Sequence, residues 1–253
     1  MNHPLLPKLK KLRLGGMAQT LDDRSRQAQE KGLTPTEFLA LLLDDEHERR
    51  GQDGFRRAVK EAGLEEGKTL SSFDFGTSQV SKGLIMDLAM CRYVEKGAGI
   101  LFYGGTGTGK SHLAQGLAYE GIKKGYKALY RPTHVLLGAV NGSRSDGSYQ
   151  RLRHRLANVE ILILDDFGLV PLTTQGAEDL YEIIRDRYER KSIILTSNRD
   201  PGEWMEIFKN DLLGSAALDR LTHHSQEVKL TGPSYRQEER RRRQKKAGDR
   251  PPS

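Results

Sequence analysis

One cysteine, one tryptophan and no long apolar run are what this 253-residue chain offers where many proteins offer more. The lone Cys91 excludes an intrachain disulfide, and so little cysteine suits a reducing compartment, so a cytoplasmic location is expected. No stretch approaches the roughly 18 consecutive apolar residues of a membrane span. The start, MNHPLLPKLKKLRLGG, also lacks the apolar segment of a signal peptide, and no membrane partner is expected. Histidines are scattered, and the adjacent His223 and His224 match no zinc-ligand spacing, so no zinc is expected.

What is present is charge, unevenly placed. The net charge is +7, yet residues 1–68 hold 13 Lys/Arg against 12 Asp/Glu, and residues 69–235 hold 20 against 19. Residues 236–253 hold 8 against 3, mostly in RRRRQKK. Such a tail either grips a polyanion or is a solvated, disordered end.

Two rhythms divide the chain. Residues 1–66 read as a small helical DNA- or partner-binding module. Thr34 is placed to cap a helix that begins at Pro35 and carries Phe38, Leu39, Leu41, Leu42 and Leu43. Before it, Leu5, Leu9, Leu12 and Leu14 alternate with Lys8, Lys10, Lys11 and Arg13, which predicts a short basic helix stopped by Gly15-Gly16. EEGKTLSSFDFG reads as a linker into a domain at 67–235. There the apolar runs GILFYGG, KALYRP, EILILDD, SIILTSN and QEVKL alternate with helical segments such as DLYEIIRDRYER. Nearly continuous apolar strands between helices predict an α/β domain with a parallel sheet of five strands covered on both faces.

The run from Gly104 to Ser111, GGTGTGKS, has the spacing G-x-x-x-x-G-K-S between a strand and a helix. Glycines at Gly104, Gly105, Gly107 and Gly109, with Thr106 and Thr108 between them, let backbone N–H groups turn inward around phosphates. Lys110 reaches for the β- and γ-phosphates, and Ser111 offers a hydroxyl to Mg2+. His112 follows directly and closes the candidate nucleotide-binding run. ATP and Mg2+ are therefore the expected cofactors.

ILILDD ends in two carboxyl groups. Asp165, at the strand end, is placed to hold the metal. Asp166 is either a helix cap or further metal ligand, or the base that orients the attacking water. Asn198, at the tip of SIILTSN, is either a turn residue or the group that holds that water. A nucleoside kinase would need no such residue. Arg220 is either a surface salt-bridge residue or an arginine finger completing a neighbouring subunit's site. Arg236, in GPSYR, is a candidate γ-phosphate contact in cis. Arg144, Arg151, Arg153 and Arg155 face only Asp146 locally, so they either grip DNA phosphates without reading sequence or form a solvated helix face.

In this order the motifs resemble AAA+ ATPases of the DnaC/DnaA clade, and the match is nearest to the IstB family of transposition helpers. KLRLGGMAQTLDD, TPTEFLALLLDDEHERR, KTLSSFDF and GLVPLTTQGAEDLYEIIRDRYERKSIILTSN resemble that family outside the phosphate loop. The resemblance implies a P-loop sheet in the order 5-1-4-3-2, a small N-terminal helical domain and no full C-terminal lid. It also implies an ATPase that forms a homo-oligomer with ATP at subunit interfaces, assembles on double-stranded DNA largely without sequence preference, and recruits a cognate transposase. Lys110, Ser111, Asp165, Asp166, Asn198 and Arg220 take the roles given above. One departure is Gly105-Thr106, where many relatives carry Pro-Pro. A helicase loader and a nucleotide-gated DNA scaffold with negligible turnover are the competing readings. A loader's amino-terminal module binds a helicase, and a scaffold releases no phosphate.

Overall fold

The computed structural model describes residues 3–235; Arg236 and the basic tail lie outside them. The chain divides into two compact units between Ala58 and Val59.

The first unit is helical: α1 (Leu6–Lys11), α2 (Gly15–Lys31) and most of α3 (Pro35–Ala62). Met17, Leu21 and Leu42 form its centre, with Leu6, Leu9, Leu14 and Phe38 packed around them. Gly32 ends α2 in the left-handed conformation, and Thr34 and Glu37 form a reciprocal cap at the start of α3. Gly15-Gly16 does not stop α1 as the sequence predicts; it opens α2. The reason is closeness: a Cβ on Gly16 would lie 2.7 Å from the Asp45 carbonyl oxygen and from Glu46 Cα. Removing that side chain lets α2 start against α3, where the buried Glu46 accepts from Gly16 N (2.6 Å) and Met17 N (3.4 Å).

The second unit carries a five-stranded parallel sheet in the order β2-β3-β4-β1-β5. Its strands are β1 (Gly99–Gly104), β2 (Ala128–Pro132), β3 (Ile161–Phe167), β4 (Ser192–Ser197) and β5 (Ser225–Leu230). Read from β5 this is 5-1-4-3-2, as the resemblance implies. Ile161 to Leu164 in β3 and Ile194 and Leu195 in β4 are wholly buried, because helices cover both faces. These helices include α6 (Lys110–Lys123), α7 (Thr133–Ser145), α8 (Tyr149–Asn158), α9 (Thr174–Arg187) and α10 (Asp211–His223). Short α4 (Lys82–Leu88) and α5 (Arg92–Glu95) precede the sheet. No helix of the described residues is long and apolar enough to cross a membrane.

The segment expected to be a linker instead packs on the sheet domain, so residue 66 falls inside the second unit. Gln115 of α6 accepts from Glu65 N at 2.8 Å, and Tyr119 donates to the Glu65 carbonyl at 3.0 Å. Leu70 lies so close to Gly116 that a Cβ there would overlap it.

Arg187 fastens the edge opposite the strand tips. Its buried guanidinium donates to the carbonyls of Val159 (2.9 Å), Glu160 (3.3 Å), Ser192 (2.6 Å) and Leu156. Each acceptor left unsatisfied costs roughly 1–3 kcal/mol. Arg187→Met therefore lowers stability by at least about 3 kcal/mol, measured by denaturant unfolding.

Burial would raise the Glu46 pKa, but hydrogen bonds from Arg49, Arg50, Gly16 and Met17 outweigh it and hold the group at about 2. The folded value lies below the unfolded one, so its stabilisation is full above about pH 4.5 and is lost as pH falls toward 2. Glu46→Gln removes that pH-dependent contribution. Hydrogen exchange of the full chain, read at the start of α2 across this range, will show it.

Candidate functional site

β1 delivers the chain to the glycine loop. Gly104 sits at φ 131°, Gly107 at φ 80° and Gly109 at φ 98°, backbone states that L side chains rarely adopt. A Cβ on Gly104 would also overlap the Leu230 carbonyl of β5, and one on Gly109 would press on the Phe73 ring. Gly105 differs. Its φ is not positive, and a Cβ would meet only Thr108 Cγ2 at 3.5 Å. The position therefore accepts a side chain, and the departure from Pro-Pro there removes no group the loop requires.

Lys110 begins α6 and is buried, with Nζ donating to the carbonyls of Gly104 (2.9 Å) and Gly105 (2.7 Å). Ser111 follows on the same turn. Asp165, at the end of β3, is 3% exposed. One of its carboxyl oxygens accepts from the Tyr130 hydroxyl at 2.6 Å and the other from the Thr196 hydroxyl. Its carbonyl accepts from Thr133 at 2.9 Å. Burial, and then the hydrogen bond to Asp165, push the Tyr130 hydroxyl pKa up, so it remains a donor.

The two aspartates part company at a bulge. The pairing of β3 with β4 shifts between Leu164 and Phe167, and Asp166 adopts φ 53°. Its N–H donates to Thr196 Oγ1 at 3.1 Å. Thr196 thus serves both residues: it donates to the first and accepts from the second.

A cavity of about 580 Å³ gathers Thr106 to His112 with Tyr130, Asp165, Asp166 and Asn198. Asn198 is exposed at the tip of β4. The cavity lies at the carboxyl ends of the strands, beside β1, where the strand order reverses direction; open α/β sheets bind ligands at such points. A second cavity of about 310 Å³, lined by His134, Asn141 and Thr173, also reaches Asp166, which stands at the junction of the two. Glycine amides around the loop, one lysine, one hydroxyl and one carboxyl group form a donor set that fits a nucleotide triphosphate with Mg2+.

Sequence reading missed six contributors. Phe73, Asp74, Thr77 and Ser78 line the large cavity from the supposed linker. Two phenylalanines in an otherwise polar stretch were the available signal. Tyr130 and Thr196 are polar residues at or near strand tips, which is also where such sites form. His112 lines the cavity but turns away from the loop: its Nε2 donates to the Thr69 carbonyl at 2.9 Å, since that oxygen only accepts. Burial lowers its pKa, which favours the neutral ring.

The remaining candidates separate. Arg220 lies near the opposite edge of the sheet, in a small depression with Gly99 and Ser225, the first residues of β1 and β5. It donates to the Ala216 carbonyl at 2.7 Å and stacks over Tyr181 at 5.5 Å, and among the described residues it makes no ion pair. Arg144 pairs with the buried Asp179 through both of its terminal nitrogens and lies over Tyr149. Arg153 pairs with Glu182 (3.0 Å) and Asp186 (2.9 Å). These two arginines spend their donors on α9, so the view that only Asp146 opposes them does not hold. Arg151 is exposed, and Arg155 is exposed with one donor toward the Glu61 carbonyl at 3.4 Å. Lys8, Lys10, Lys11 and Arg13 are all exposed. His223 and His224, expected to resemble no metal site, do converge on Glu189, with candidate ligand atoms within 4.8 Å of one another and all three residues exposed.

Against known proteins, residues 7–243 match the family described as IstB-like ATP binding protein. An insertion-sequence ATP-binding protein of Mycobacterium tuberculosis is 37% identical over 92% of this chain and 93% of its own length. The IS21 ATP-binding protein of Pseudomonas aeruginosa is 32% identical over 95% of this chain and 91% of its own. Among solved structures, the DnaC helicase loader is similar with TM-score 0.53 at 24% identity, over 58% of this chain and 86% of that one. The replication initiator DnaA bound to AMPPCP and single-stranded DNA is similar with TM-score 0.55 at 24% identity, over 66% of this chain and 51% of that one. The structural likenesses show a shared P-loop fold, and the family match spans nearly the whole chain. The chain belongs to the IstB-like ATP-binding protein family.

Proposed function

We propose that this protein is an ATPase that assembles on double-stranded DNA and assists an insertion-sequence transposase. The observation that carries the reading is convergence: Lys110, Ser111, Asp165, Asp166 and Asn198, from three separate segments, line one cavity beside a glycine loop. Relatives named as ATP-binding proteins of insertion sequences support the biological setting.

On this reading ATP enters with its phosphates over the loop between Gly104 and Gly109. Lys110 leaves the Gly104 and Gly105 carbonyls for the phosphate oxygens. Ser111 and Asp165 would hold Mg2+, which would supply positive charge against the phosphates. Asp166 takes up a proton from the attacking water, and Asn198 orients that water. Phe73 walls the cavity beside Gly109. Arg220 faces away from its own cavity, so its charge reaches a γ-phosphate only from a neighbouring subunit. An Arg at such an interface couples turnover to assembly. Lys8, Lys10, Lys11 and Arg13, with Arg151 and Arg155, are the exposed cations available to DNA phosphates; Arg144 and Arg153 act within the fold. Arg236 is a candidate phosphate contact from outside the described residues.

Asp166→Asn keeps ATP binding and lowers DNA-stimulated phosphate release by about 10²–10⁴-fold. Equally negligible release from both proteins, with normal assembly on DNA, would leave only the scaffold reading. Arg220→Ala binds ATP and loses turnover; mixing it with Lys110→Ala restores part of it, because one subunit then supplies the finger and the other the site. Absence of rescue in demonstrably mixed oligomers removes the role in trans.

A further inference from the structure

Both charged arms of the cavity are held by the protein itself. Lys110 rests on two loop carbonyls, and Asp165 on two hydroxyls. The two hydroxyls are not equivalent. Thr196 is wholly buried and also accepts the Asp166 N–H, so leaving Asp165 would orphan a second group. Tyr130 is half-buried, lines the cavity and stands near the end of β2, the outer strand of the sheet. Its hydroxyl has a route into the cavity that Thr196 lacks.

We propose that Tyr130 is a latch on the metal-binding carboxyl group. Its O–H occupies Asp165 Oδ2 and yields it when Mg2+ arrives with nucleotide. This inference rests on the Mg2+·ATP reading above. A hydrogen bond from a neutral donor to a carboxylate draws electron density from the oxygen and fills one of its acceptor directions, so a metal must displace or share it. Tyr130 therefore sets the Mg2+ concentration at which the site binds ATP with its metal. The hydroxyl gives no proton to the reaction. It is a positioning residue acting through Asp165.

The test uses the full chain and a fluorescent ATP analogue, titrated with Mg2+ from a chelated start. Tyr130→Phe keeps the ring and removes only the hydroxyl. The expected result is a Mg2+ midpoint for nucleotide binding lower than wild type by roughly tenfold, with affinity in excess chelator unchanged. A second readout is the electron paramagnetic resonance of Mn2+, which loses its free-ion signal at lower total metal in the variant. A purely structural hydroxyl shifts the melting temperature and leaves both midpoints where they were; that outcome overturns the latch. A raised midpoint overturns it as well, since Tyr130 then assists the metal. Wild-type protein that binds the analogue equally with and without Mg2+ sinks the metal reading itself, and the latch with it. That failure is distinguishable because it appears before any substitution is made.

Discussion

The carboxyl group of Asp165 lies 3% exposed at the end of a strand whose preceding four residues are apolar and wholly buried. A charge in that position is costly unless hydrogen bonds surround it. Much of the site's architecture answers that constraint. Tyr130 comes from β2, Thr196 from β4, and Thr133 holds the Asp165 carbonyl from the start of α7. Three neighbouring elements are thereby fixed against the tip of β3. The carboxyl group proposed to meet the cation is also the one that fastens the strand ends around the cavity.

The sheet and the glycine loop were legible because their causes are local. An apolar run between helical segments has few places to go other than a two-faced parallel sheet, and the loop's glycines answer to backbone angles that no other residue adopts cheaply. The role of Phe73 was not legible, because it depends on the approach of residues 65–78 to α6, a contact spanning 50 residues between Glu65 and Gln115. Gly15-Gly16 misled for a related reason. Glycine ends helices by permitting positive φ, but it also lets helices touch, and only the nearness of Asp45 and Glu46 shows which use applies.

The arginines make the same point with charge. A local count around Arg144 and Arg153 finds one acidic neighbour, Asp146. Their actual partners, Asp179, Glu182 and Asp186, lie one strand and one helix later and become neighbours when α9 packs beside α7 and α8. Arg187 is more hidden still: its partners are backbone carbonyls, which no sequence pattern marks. Net charge along a segment is therefore a poor guide to which cations remain available to a polyanion. Exposure after folding leaves Lys8, Lys10, Lys11, Arg13, Arg151 and Arg155 as the stronger candidates.

Asp166 closes the argument about the paired aspartates. Many ATPases of this architecture place glutamate where this chain has the shorter aspartate, which poses a problem of reach for a base that must touch water. The backbone supplies an answer. The bulge between Leu164 and Phe167 re-aims the residue, and φ 53° puts it in the left-handed region. Asp and Asn enter that region far more readily than longer side chains do. A short side chain suits this left-handed backbone at the bulge, where Asp166 lines the cavity. Glutamate at this position would gain a methylene of reach and enter the left-handed region less readily. Asp166 also lines both cavities, the large one beside the glycine loop and the smaller one before α9.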